Sequence, residues 1–108
     1  MANKELATYI MEQLSDLMEI RNIPMMGGYI FYYRERIFGG IYENGFMVKI
    51  TKASKYYMPD SLPEAPYKGA KEMLPVTILE NREILKKMVS EMYEELPKRN
   101  SKSKKKLS

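Results

Sequence analysis

Met25 to Thr51 reads MMGGYIFYYRERIFGGIYENGFMVKIT, and its pattern decides the fold. Tyr29–Tyr33 is an unbroken run of aromatic and β-branched residues, the composition of a buried, pleated surface. Arg34-Glu35-Arg36 interrupts it, and Ile37–Glu43 is a second apolar run. Asn44-Gly45 separates that run from Phe46–Thr51. Asn-Gly readily supplies the positive φ values of a type I′ hairpin turn. The stretch therefore predicts three antiparallel strands joined by two tight turns. Alternation puts Phe46, Val48 and Ile50 on one face and Met47, Lys49 and Thr51 on the other. The first strand is apolar on both faces, so helices cover one side and the other needs partial cover. A partner subunit is one way to supply it; half-exposed tyrosines with hydroxyls in water are the other.

Gly27-Gly28 and Gly39-Gly40 do not read as a phosphate loop, because such a loop runs from a strand into a helix and Gly27-Gly28 leads into a strand. Close backbone approach or a bulge is the simpler reading.

Outward from the meander, Asn3 is read as the N-cap of a helix over Lys4–Glu19, with Leu6, Ile10, Leu14, Leu17 and Met18 on one stripe. That stripe covers the sheet or binds a partner. Ile20–Pro24 is a connector with room for a short edge strand, the place where Pro24 is tolerated. After the meander, Lys52–Met58 predicts a short helix and PDSLPEAP (59–66) a loop. Tyr67–Ala70 and Glu72–Ile78 predict two short strands, with Pro75 at an edge. Thr77–Asn81 leads into the clearest helix, where Ile84, Leu85, Met88, Val89, Met92, Tyr93 and Leu96 form a broad stripe that Pro97 ends. Glu83 and Lys87 form an expected i, i+4 pair.

The chain has 108 residues, 44% hydrophobic and 30% charged, which fits one soluble globular domain. No apolar run approaches the length that spans a membrane. Glu5, Glu12 and Asp16 interrupt any signal-peptide core, and the reading places the protein in the cytoplasm. Cys and His are both absent. That excludes thiol nucleophiles, His bases, Ser-His-Asp triads and Cys/His zinc sites. The net charge of +4 belongs to the C-terminal end. Lys98, Arg99, Lys102, Lys104, Lys105 and Lys106 carry six of the 18 basic residues, leaving 12 against 14 acidic ones in residues 1–97. Residues 98–108 read as a disordered, Lys-rich tail after a domain of residues 1–97. The tail either solubilises the domain or makes weak, salt-sensitive, sequence-independent nucleic-acid contacts. It has no aromatic residue for stacking on bases.

Other constellations carry less. Tyr67 and Lys71 match a Tyr-x-x-x-Lys pair by spacing, but no dinucleotide-binding βαβ unit accompanies them. Glu35, Glu43, Asp60, Glu64 and Glu72 are scattered over turns and loops. Of ten methionines, Met18, Met88 and Met92 lie on helix stripes as core; Met25-Met26 could provide an adaptable surface.

Met25-Met26-Gly27-Gly28-Tyr29-Ile30-Phe31-Tyr32 resembles the Met-Phe-Gly-Gly-Tyr signature of the TfoX N-terminal domain family, whose best-known member regulates natural competence in bacteria. Phe38, the Phe46–Ile50 segment with Lys49, Pro66-Tyr67, Met73 and the last helix fall where that family has them. The signature Met is followed here by Met26, and Ile23 stands where the family usually has Arg. The resemblance covers about residues 4–96, and its signature residues are Met25, Gly27, Gly28, Tyr29 and Lys49. It implies an α+β, two-layer sandwich of order α-β(3)-α-β(2)-α, secretion-chaperone-like, often a homodimer, with no catalytic residue, metal or cofactor. The residues read in order give the same succession of elements. The expectation is a non-enzymatic regulatory or protein-interaction module, with an accessory nucleic-acid binder acting through the tail as the alternative. A small enzyme using Tyr, Lys or carboxylates requires Glu35, Lys49 or Tyr67 to converge on a pocket.

Overall fold

The computed structural model describes residues 3–98. Helix α1 (Asn3–Gln13) leads into four consecutive strands, β1 (Ile20–Met25), β2 (Gly28–Tyr33), β3 (Arg36–Tyr42) and β4 (Gly45–Val48). Helix α2 (Lys52–Tyr57), the two-residue β5 (Leu74–Pro75) and α3 (Arg82–Met92) follow, and a 3-10 turn at Tyr93–Glu95 closes α3. The sheet runs β1-β2-β3-β4-β5 with every neighbouring pair antiparallel. The class is α+β, with three α-helices and a five-stranded antiparallel sheet among the described residues. The order departs from α-β(3)-α-β(2)-α: four strands precede α2 and one follows it.

The extra early strand is the expected connector. Ile20–Met25 pairs with β2 along its whole length, from Ile20 opposite Tyr33 to Met25 opposite Gly28. Pro24 sits in this edge strand, where a missing N–H is tolerated. The lost late strand is Tyr67–Ala70. It turns instead, with Gly69 at φ 87° and the Ala70 N–H donating to the Tyr67 carbonyl. Only an isolated bridge between Glu64 and Met73 precedes β5.

The first helix ends at Gln13, six residues short of the expected Glu19. Leu14 and Leu17 still reach the core from turns, and Glu19 takes a left-handed φ of 63° as the chain enters β1. The Asn3 side chain donates to the Gly27 carbonyl (2.9 Å), tying α1 to the β1–β2 turn. At the other end of the chain, Glu83 pairs with Lys86 (3.2 Å) rather than with Lys87, because Lys86 also reaches Asp16 (3.3 Å) after α1.

The hairpin at Asn44-Gly45 forms with a different turn. Glu43 and Asn44 make the tip and Gly45, at φ 100°, pairs with Tyr42. Only the glycine has a positive φ there. Asn44 instead spends its side-chain amide on Glu64 (3.1 Å). Positive φ at both central residues occurs at Met26-Gly27 (50° and 85°) and at Arg34-Glu35 (50° and 68°). The right-handed twist of the strands favours such turns even without the usual residue types.

Phe31, Phe38, Ile41, Phe46, Val48 and Leu74 turn one face of the sheet into the core. Phe31 sits at its centre, 6.0 Å from the Phe38 ring and 5.7 Å from the Phe46 ring. All three helices feed that same cluster: Ala7 and Ile10 from α1, Ala53 from α2, Leu85, Met88, Val89 and Met92 from α3. Each fully buried large side chain contributes about 1.5–3 kcal/mol of transfer free energy. A bulge between Phe31 and Tyr32 lets Phe38 join the core face without breaking the alternation beyond it.

Candidate functional site

The register places Arg21, Ile23, Ile30, Tyr32, Ile37, Gly40, Tyr42 and Met47 on the opposite face of the sheet. Helix residues of the core cluster all lie on the other side. Ile23, Ile30, Tyr32, Ile37 and Tyr42 are half-buried, while Met47 is fully buried. Arg21 lies 4.1 Å from the Tyr32 ring centroid and clamps Glu35 with two hydrogen bonds, 3.0 and 2.9 Å. That pair is largely exposed, so it adds little stability. It does hold Glu35 at the β2–β3 turn.

Partial cover comes from the loop between α2 and β5. The Ser61 hydroxyl donates to the Pro75 carbonyl (2.5 Å), and Asn44 holds Glu64. This brings Tyr67 beside Tyr42, with ring centroids 6.2 Å apart. Gly40 makes room for Tyr42: a Cβ there would lie 2.9 Å from the Tyr42 hydroxyl oxygen and against the Tyr29 carbonyl.

The tyrosine pair forms a ridge between two concavities. One, of about 590 Å³, is lined by Met25, Met26, Gly27, Gly28, Tyr29, Ile30, Tyr42 and Tyr67 among others. It holds four of the five signature residues, and Met26 is 99% exposed at its rim. The other, also about 590 Å³, is lined by Ile37, Tyr42, Lys49, Ile50, Thr51, Tyr67, Lys71, Glu72, Glu95 and Leu96 among others. The fifth signature residue, Lys49, lies here.

Local chemistry shapes this second cavity. Thr51 caps α2 by accepting from the Ser54 N–H (3.0 Å), and the Ser54 hydroxyl accepts from the Thr51 N–H (2.8 Å). Ser54 also donates to the Lys49 carbonyl (2.8 Å), which fixes the backbone carrying Lys49. Glu95 accepts from the Lys52 N–H (2.8 Å) and the Ala53 N–H (3.4 Å), so its carboxylate occupies the start of α2. Burial pushes the Lys49 ammonium below its usual pKa, and the charge of Lys71 lowers it further. Burial raises the Tyr42 hydroxyl, with Tyr67 adding to it.

Lys49 and Tyr67 therefore converge and Glu35 does not. Tyr67 and Lys71 share the cavity wall from a loop, not from a helix. Glu43 lines the signature groove, Glu72 the lysine cavity, and Glu64 is held by Asn44. Among the described residues, no group of three or more acidic residues could hold a metal ion. Lys98 is exposed, while Arg99, Lys102, Lys104, Lys105 and Lys106 lie outside the described residues. Among the described residues, no helix is long and apolar enough to cross a membrane. The meeting of Lys49 with Lys71, and the cap from Glu95, had no local signal in the sequence. Comparison of the chain with models of known families, with curated proteins and with solved structures finds no match.

Proposed function

We propose that this chain is a non-enzymatic regulatory or protein-interaction module of the TfoX N-terminal kind, working as a homodimer formed through the open face of its sheet. The observation that carries the reading is that face: Ile23, Ile30, Tyr32, Ile37 and Tyr42 lie together, half-buried, with no helix of the core over them. Contiguous apolar surface of this kind is what interaction sites expose. A second copy suits it because the charges at one end, Arg21 and Glu35, neutralise each other. Two such faces then meet about a two-fold axis without opposing like charges there.

The regulatory role, a link to transcription and the secretion-chaperone-like fold come from the resemblance carried by Met25, Gly27, Gly28, Tyr29 and Lys49. The lack of Cys and His supports the non-enzymatic assignment. Sedimentation of the full chain tests the dimer. A two-fold mass that falls to one-fold in Ile30→Glu is the expected outcome; a strict monomer at high concentration overturns it.

The alternative is accessory nucleic-acid binding by Lys98, Arg99, Lys102, Lys104, Lys105 and Lys106, supported by six positive charges without an acid among them. Binding that survives removal of residues 98–108, or that ignores salt, overturns that mechanism.

A further inference from the structure

We propose that the cavity beside Tyr42 and Tyr67 binds a small phosphate monoester, its phosphate held between Lys49 and Lys71 and its organic part against Ile37, Tyr42 and Leu96. The proposal goes beyond the dimeric module, with whose face it shares Ile37 and Tyr42.

Lys49 and Lys71 both line one concavity. Neither has a hydrogen-bond or ion-pair partner among the described residues. Placing the exposed Lys71 beside the half-buried Lys49 costs free energy that a bound anion recovers. Burial lowers the pKa of Lys49, and the charge of Lys71 lowers it further.

The two carboxylates on the wall do not fill that role. Glu95 is bound to the Lys52 and Ala53 N–H groups, and Glu72 is exposed. Because Glu95 already occupies the α2 N-terminus, an incoming anion has the two lysines as its cationic partners. Lys binds phosphate as a compact point charge, and two of them match the charge of a phosphate dianion. Ile37, Ile50, Pro66, Met73 and Leu96 give the remaining wall an apolar part, beside Thr51 and the two tyrosines. A volume of about 590 Å³ suits a small ligand with an apolar body and one polar head.

The test is calorimetric titration of the full chain, tail included, with phenyl phosphate, inorganic phosphate and benzoate at one fixed ionic strength. Phenyl phosphate is expected to bind saturably at one site per chain, more tightly than either of the others. Lys71→Met and Lys49→Met are each expected to weaken it about tenfold or more, the usual scale for losing one charge-assisted hydrogen bond. Lys71 is exposed, so its variant folds and decides the matter even where Lys49→Met does not. Unchanged affinity in Lys71→Met locates the binding elsewhere, the basic tail included, and overturns the site. Benzoate binding as tightly as phenyl phosphate overturns the phosphate assignment, and a lack of saturable binding overturns both.

Discussion

Arg36 grips Tyr93 twice: its guanidinium lies 4.0 Å from the ring centroid and donates to the Tyr93 carbonyl at 2.8 Å. Arg34 approaches the same ring at 4.6 Å, and Tyr33 meets it edge-on with centroids 5.7 Å apart. The β2–β3 turn is thereby fastened to the end of α3. Arg34 and Glu35 hold left-handed backbone there without glycine, a conformation that costs about 1–2 kcal/mol per residue for L-amino acids. Tertiary contacts offset that cost.

Arg36→Ala removes a partly desolvated cation–π contact and a hydrogen bond to a backbone carbonyl. Together these predict a loss of about 1.5–3 kcal/mol in urea unfolding. Arg36→Lys keeps the charge but not the planar fork, and should recover only part of it.

Phe31 touches both Phe38 and Phe46 and has no exposed surface. Phe31→Ala should cost about 3–5 kcal/mol, from lost transfer free energy and the cavity left behind. Thermal melting of the variant, compared with Phe31→Leu, measures it; the leucine variant should lose less than half as much.

Gly40→Ala pushes a methyl group into the Tyr42 ring and the Tyr29 carbonyl. Overpacking of this kind predicts about 1–3 kcal/mol of destabilisation. Because Tyr42 forms the ridge between the two concavities, its shift should also appear as changed tyrosine fluorescence. The more conservative Tyr42→Phe should leave stability within about 1 kcal/mol.

Lys49 has its folded pKa lowered, first by burial and then by Lys71. The folded state therefore penalises the proton that the unfolded state holds. The penalty is full below the folded pKa. It fades as pH rises through that value towards the unfolded lysine value of about 10.4. In anion-free buffer, Lys49→Met should be more stable than the parent at pH 7. The difference should shrink as the pH is raised towards 10; a constant difference across that range counts against the burial account.

Local patterning made much of this fold legible. Tyr29–Tyr33, Ile37–Tyr42 and Phe46–Val48 are strands because aromatic and β-branched side chains alternate over a pleat, and that depends on near neighbours alone. The stripe from Ile84 to Met92 is a helix for the same reason. β1 was less legible: Arg21, Asn22 and Pro24 make a poor strand in isolation, and Ile20–Met25 becomes one by pairing along β2. Helix α1 is shorter than its apolar stripe suggests, because Leu14 and Leu17 fit that stripe yet reach the core from turns.

By itself the sequence determined the α+β class, the hairpin ribbon and the greasy second face of that ribbon, since each follows from residue type and spacing. Tertiary structure alone decided which backbone bears positive φ at the β2–β3 turn, what occupies the α2 N-terminus, and that Lys49 meets Lys71 across one cavity. Those outcomes depend on groups distant along the chain being brought together, and residue order carries no distance of that kind until the sheet has closed over its core.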